Sequence, residues 1–346
     1  MDRHQFLSFL QKRIGSWEQA TARELSHSES ALLSSVDYNN LLASSWVEGS
    51  PARRPAADSA EYELFLVITE AIKAQLLLCP PSQRIVLVLD WGAGNGKVIP
   101  WLRVSADRLN DIPSILLVYL YMDFSPVMLA IARREYDSLF NGSNEKTLAL
   151  FALTDVMKSQ FSEHDWQELR TYCGCVLSIC AGGTIGNLGT ELDGANHFQR
   201  TLLKNWYPCD HILVTFLNPA QFRDTVLHYT HSGLSSGRFD TLFVSLYALS
   251  KSQKPSLVTN GHIDLINLHS SPTFQELHEG VRDLGEKPYF VIFEMRSGDK
   301  SLGQVSRHYS SEYVKQVFLE NYNIVRCIEV SSARCYWLRT NCAPLL

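Results

Sequence analysis

At 346 residues the chain is too long for one minimal domain, and with 45% hydrophobic residues it can bury a sizeable core. Its 31 Lys and Arg against 36 Asp and Glu leave a net charge of −5, and no block of basic residues occurs, which argues against nucleic acid as a partner. The 8 cysteines fall largely inside apolar runs, as reduced buried thiols do, and Cys173-Gly174-Cys175 lacks the second ligand pair of a zinc site, so no metal is expected.

Phe6, Leu10, Ile14 and Trp17 recur at helical spacing with polar residues between them, which predicts an amphipathic helix rather than a targeting segment. No run reaches the length of a membrane span, so a soluble cytoplasmic protein is expected. Residues 26–78 keep a helical pattern, broken over 46–58 by Gly49, Pro51 and Pro55, which reads as a loop; a long amphipathic helix is predicted over 61–78.

Residues 85–89 form an apolar, β-branched run that reads as a strand buried on both faces. It leads to Asp90, then to Gly92, Gly94 and Gly96, after which a helical pattern resumes at 98–102. Strand, glycine turn and helix start are the parts of a nucleotide site at the carboxyl edge of a parallel sheet. A dinucleotide fingerprint would need glycine where Lys97 stands, and a P-loop would need Ser or Thr where Val98 stands. The remaining pattern, D-x-G-x-G-x-G, resembles the class I S-adenosylmethionine-dependent methyltransferases. The resemblance implies a Rossmann-like α/β fold with a seven-stranded sheet, and S-adenosyl-L-methionine as cofactor, held at Asp90, Gly92, Gly94 and Gly96.

Further elements follow in the order this family uses. The second strand, 115–122, ends at Asp123, whose carboxylate can accept hydrogen bonds from both ribose hydroxyls. Phe124-Ser125-Pro126-Val127-Met128-Leu129 is similar to the D-x-S-P-x-M-L segment found after this acid, with Ser125 and Pro126 suited to a helix start. A third strand, 147–153, ends in Thr154-Asp155-Val156; Asp155 would accept from the adenine amino group and the Val156 amide would face the ring, although a lone Asp there is also a common helix cap. Asp37, Tyr38, Leu42 and Trp46 resemble the Y-D-x-L-A-x-x-W segment of small-molecule methyltransferases, where N-terminal helices fold over the cofactor as a lid; aromatic core packing is the plainer alternative.

The fourth strand, 175–180, runs into Ala181-Gly182-Gly183-Thr184-Ile185-Gly186-Asn187-Leu188, whose glycines require an irregular loop. This loop is similar to the G-S-T-I-G-N-F segment of the histidine-specific amino-acid N-methyltransferases of the ergothioneine pathway, which implies that Asn187 contacts the acceptor amino group. Strand five, 211–217, is followed by a long insertion over 220–305 with predicted strands at 238–249, 262–268 and 289–296. Residues 304–310, Gln304-Val305-Ser306-Arg307-His308-Tyr309-Ser310, resemble the E-x-S-x-K-Y/F-S/T segment of the same family and imply Gln304, Ser306 and Tyr309 as substrate positions. Gln304 stands where that family has Glu, and its Tyr-Tyr-Pro-Thr-Arg segment is absent, which leaves an amino acid or related amine rather than histidine itself as acceptor. Ser310 caps a predicted helix to about 319, and strands at 324–330 and 335–340 complete the sheet.

The expected organisation is a helical cap (1–80), a cofactor-binding core (81–218), an inserted substrate subdomain (219–305) and a helix with strands that complete the core sheet (306–346). The expected function is methyl transfer to the amino nitrogen of a small molecule, with Asn187 and Tyr38 orienting the acceptor and His308 as candidate base. A small-molecule O-methyltransferase and a non-catalytic, cofactor-binding partner subunit are the alternatives; intact glycines and acids speak against the second.

Overall fold

The computed structural model describes residues 3–27, 55–140, 146–156, 159–187, 202–203, 206, 208–218, 289–297 and 300–340. Strands β1 (Ile85–Trp91), β2 (Leu116–Asp123), β3 (Thr147–Leu153), β4 (Cys175–Cys180) and β5 (His211–Leu217) are parallel and stand in the order β3-β2-β1-β4-β5. Every residue of β1, β2, β4 and β5 is buried, as continuous apolar runs require when helices cover both faces. Strand β9 (Ala333–Thr340) lies antiparallel along β5, and β8 (Tyr322–Val330) lies antiparallel along β9, which completes a seven-stranded core. The predicted strands at 324–330 and 335–340 are these two, each starting two residues earlier.

A hairpin of β6 (Tyr289–Ser297) and β7 (Lys300–His308) joins the same sheet through one register pair, Leu217 with His308. Among the described residues it therefore pairs with the core strands only at the carboxyl end of β5, beyond the last β4–β5 pair, Cys180 with Val214. The strand expected at 289–296 is β6; β7, which contains Gln304, Ser306 and His308 and crosses position 305, had no counterpart in the sequence reading. The strands expected at 238–249 and 262–268 lie outside the described residues.

Odd and even positions along β1 separate two cores. Ile85, Leu87, Leu89 and Trp91 face one layer, with helices α1 (Arg3–His27) and, further along the chain, Glu163–Tyr172; Val86 and Val88 face the other, with α2 (Pro55–Leu78), α3 (Ile99–Leu109) and α4 (Pro126–Phe140). Phe6, Phe9, Leu10, Ile14 and Trp17 of α1 are buried in the first core, and Leu64, Phe65, Ile68, Ile72 and Leu76 of α2 in the second. This corrects the expectation of one helical cap: the two described N-terminal helices are opposite layers of the sandwich. Helix α2 also starts at Pro55, so residues 55–58 belong to it and not to the expected loop; proline's fixed φ suits a first helical turn. The helix Glu163–Tyr172, α5, opens with a capping box between Ser162 and Asp165.

Ser310 caps the next helical segment as expected, accepting a hydrogen bond from the Tyr313 amide, but the segment is one α-turn (Ser311–Tyr313) followed by a π-turn (Val314–Phe318). Against it, Phe216 of β5 stacks on Phe318 at 5.5 Å and meets Tyr309 and Tyr336 edge-on. Cys173, Cys175, Cys180, Cys209 and Cys335 are buried free thiols as predicted, whereas Cys327 is exposed because β8 is the outer strand. No helix among the described residues is long and apolar enough to cross a membrane.

Replacing Phe216 with Ala should lower the unfolding free energy by about 3–5 kcal/mol in denaturant titration, since the cluster around it would be left with a cavity; a loss below about 1 kcal/mol would show that the cluster collapses to fill the space.

Candidate functional site

The carboxyl ends of β1, β2, β3, β4 and β5 lie along one edge, and the predicted cofactor residues follow them in order. Strand β1 extends two residues past the apolar run, so Asp90 is inside it and 1% exposed. The hydroxyl of Tyr119, on the neighbouring strand β2, donates to Asp90 Oδ2. Burial is the chief cause that pushes the Asp90 carboxyl up to about 7, against the Tyr119 hydrogen bond and the charge of Lys97.

The turn after β1 is held from below. The Gly92 and Ala93 amides donate to the Met122 carbonyl at 3.0 and 3.2 Å, and the Tyr121 hydroxyl donates to the carbonyl of Ala93 at 2.8 Å. Each glycine answers a different demand. Gly92 has φ +68°, and a Cβ there would stand 2.4 Å from Thr184 Cγ2. Gly94 has φ +60° and open space where its side chain would be, so bare backbone is presented at the edge. At Gly96 a Cβ would stand 2.9 Å from Ile99 Cδ1 and 3.3 Å from the Ala132 backbone, where α4 packs.

Asp123, 6% exposed, accepts from the Gly94 amide through Oδ2 and the Ser125 amide through Oδ1, both at 2.8 Å. Burial pushes its carboxyl up to about 6, with the amides of Ser125, Gly94 and Phe124 working the other way. One side chain thus ties the glycine turn to the start of α4, and Ser125 receives the Met128 amide at 3.2 Å as the predicted cap. At the end of β3, the Asp155 amide donates to Thr21 Oγ1 of α1 at 3.2 Å, and the Asp155 carbonyl accepts from Ser159 Oγ at 2.7 Å. Asp155 is half-buried, and Val156 is buried in the same core as Phe161 and Trp17. The adenine-binding role expected at these positions thus falls where α1 crosses the edge of the sheet.

After β4, residues 181–187 turn back over the glycine turn: Thr184 Oγ1 donates to the Ala181 carbonyl at 3.0 Å and approaches the Gly92 carbonyl at 3.4 Å. Asn187 ends the 3₁₀ turn Thr184–Asn187, against which β7 lies. Gln304, Ser306 and His308 alternate along β7, and His308 closes it opposite Leu217. The structure therefore brings the segments bearing Asn187, Gln304, Ser306 and His308 to the edge that bears the glycine turn. Tyr309 requires correction: it is 0% exposed, stacked on Tyr313 at 5.8 Å and edge-on to Phe318 at 5.1 Å, so it is a core residue and not a pocket wall. Tyr38, with Asp37, Leu42 and Trp46, lies outside the described residues.

The sequence reading missed a charged cluster behind the turn. Glu61 of α2, 0% exposed, accepts from Lys97 Nζ at 2.5 Å, from the Gly182 amide at 2.7 Å and from Thr215 Oγ1 at 2.5 Å. Lys97 also donates to Asp58 at 3.0 Å. Burial opposes the Lys97 charge, but Glu61 and Asp58 outweigh it and raise its pKa. Nothing local marks Glu61, whereas Tyr119 and Tyr121, two polar-tipped side chains on one face of an apolar strand, were a visible signal.

No family model matches the chain, and neither does any curated protein. Similar solved structures include the PH0226 protein from Pyrococcus horikoshii OT3 (12% identity, TM-score 0.37, 75% of this chain and 84% of that one). Others are an SAM-dependent methyltransferase from Thiobacillus denitrificans in complex with S-adenosyl-L-homocysteine (12%, 0.28, 79% and 90%) and the DszA carbon methyltransferase (13%, 0.34, 78% and 57%). The fold is the Rossmann-like sheet of class I methyltransferases. Strand order and the antiparallel β9 carry that assignment; likenesses this distant add no weight to it.

Gly94→Ala should cost about 1–2 kcal/mol of stability, the strain of a left-handed backbone alone. Gly92→Ala should cost more, because its methyl also meets Thr184, and Thr184→Ser should recover part of that excess in a double-mutant cycle of unfolding free energies.

Proposed function

We propose that the chain is an S-adenosyl-L-methionine-dependent methyltransferase whose acceptor is the amino nitrogen of an amino acid or related small amine. The observation that carries this reading is the ordered edge itself: Asp90, an open backbone at Gly94, Asp123 and Asp155 stand at the ends of three adjacent strands. Those residues fit the cofactor. Gly94 leaves room for close approach of an anionic group or a chain, and Asp123, fixed by two backbone amides, keeps carboxylate lone pairs for a pair of hydroxyls. Asp155 and the Val156 amide are the positions for an adenine edge.

When bound, the cofactor supplies a methyl group already activated by its sulfonium. What remains for the protein is position and exclusion of water. The acceptor nitrogen must arrive without its proton, since an ammonium has no lone pair; a desolvated site lowers the amine's pKa and favours that loss. In this reading Asn187 and Tyr38 orient the amine, His308 receives its proton, and Gln304 and Ser306 line the acceptor side together with the inserted segment 219–305. Gln304 in place of Glu removes a charge that an imidazole would use, which favours an acceptor other than histidine.

Isothermal titration with S-adenosyl-L-methionine and with S-adenosyl-L-homocysteine should give dissociation constants from micromolar to sub-millimolar; no heat at millimolar ligand would sink the proposal. The Asp123 carboxyl is raised to about 6; its ionised form offers acceptor oxygens to both ribose hydroxyls, whereas the protonated form loses acceptor strength and carries a donor of its own. Affinity should therefore be full above that pH and fall as pH drops through it, and a flat profile would remove Asp123 from the ribose site. In a labelled-methyl assay against amino acids, biogenic amines and phenols, Asn187→Ala should lower turnover at least about tenfold while cofactor affinity stays near wild type; equal loss of both would place Asn187 in the cofactor site instead.

A further inference from the structure

A single buried carboxylate joins elements that the proposed reaction must keep in register. Glu61 Oε2 holds Lys97, the residue immediately after Gly96 of the glycine turn. Its Oε1 holds the amide of Gly182, the first glycine of the 181–187 segment, and the hydroxyl of Thr215 near the end of β5. Lys97 completes the link from the other side: its Nζ lies 3.2 Å from the point where a Gly182 Cβ would stand, and it is shared with Asp58 one turn earlier on α2. Trp101 places its ring 5.9 Å from the same ammonium.

We infer that Glu61 is a positioning residue that fixes the acceptor segment 181–187 against the glycine turn and transmits occupancy of the turn to that segment. The inference rests on the methyltransferase reading for its meaning, though the anchoring itself does not. A carboxylate with no solvent contact keeps its free energy low only while all its donors remain in place, because each lost hydrogen bond to a buried charge leaves an uncompensated group. Turn, segment and β5 therefore shift together or not at all. Methyl transfer requires donor and acceptor atoms aligned within a narrow range, so a fixed spacing between these two backbones is what the chemistry would select. The carboxylate is wholly buried, so its effect on the reaction passes through Lys97 and Gly182.

Amide hydrogen exchange on wild-type protein and on Glu61→Gln, each with and without S-adenosyl-L-homocysteine, tests this. The amide side chain keeps the shape but offers Lys97 an N–H₂ group or gives up Gly182. Without ligand, peptides covering 181–187 should exchange about tenfold faster or more in the variant, while those from β1 and β2 keep their wild-type rates. With ligand, the wild-type segment should gain protection, and the variant should bind with affinity within about threefold of wild type yet give its segment no added protection. A purely structural role would lower overall stability and leave that ligand-dependent protection intact, which would overturn the inference, as would unchanged exchange of 181–187 in the variant. If Glu61→Gln does not fold, Thr215→Val, which removes one donor and leaves the carboxylate, should still speed exchange of the segment; no change there would also overturn it. Absence of ligand binding by the wild-type protein would instead defeat the methyltransferase proposal, and the ligand-free comparison would still decide whether Glu61 anchors the segment.

Discussion

The approach of two backbones, the turn after β1 and the segment after β4, is the constraint on which the carboxyl edge depends. The Thr184 methyl occupies the space that any side chain at position 92 would need, and Lys97 closes on Gly182 in the same way. Only where side chains are missing on both segments can the carboxyl ends of β1 and β4 come close enough for one small ligand to touch both. Gly94 differs from its neighbours in facing open space, so its backbone is bare at the edge, whereas the glycines beside it let the protein pack against itself.

Close approach also buries charge. Asp90, Asp123 and Glu61 are all nearly or wholly removed from solvent within the same layer, where an unmatched carboxylate would be strongly destabilising. Each is matched differently: Asp90 by a tyrosine hydroxyl, Asp123 by backbone amides, Glu61 by an ammonium, an amide and a hydroxyl. Burial accounts for the raised carboxyls of Asp90 and Asp123, in which desolvation outweighs the hydrogen bonds each group gains. Such groups respond to any ligand that donates to them, which ties the electrostatics of the edge to its occupancy.

Much of the core was legible in the sequence because its signals are local. An apolar run ending in an acid and a glycine turn marks a parallel strand within fifteen residues, and the order Asp90, Asp123, Asp155 follows the order of strands β1, β2 and β3. Three features were not legible. Helices α1 and α2 look alike as amphipathic patterns, and nothing in a helical period says which sheet face it will cover. Tyr309 sits in a segment that resembles a substrate motif, but Phe216, nearly a hundred residues earlier, and Phe318 draw it into the core. Strand β7 was hidden because its residues, Lys300–His308, are mostly polar and gain strand structure from pairing with β6.

Local sequence pattern specified the succession of strands in the first half, the place of the glycine turn and the acids at the strand ends, since short-range spacing encodes these; the lateral order β3-β2-β1-β4-β5 came from the fold. Tertiary structure alone decided which groups share a charge: Glu61 meets Gly182 across 121 positions and Thr215 across 154. Contacts of that span leave no periodicity to read. They exist because the folded sheet brings the ends of β1, β4 and β5 side by side, and a buried carboxylate from α2 must find its donors there.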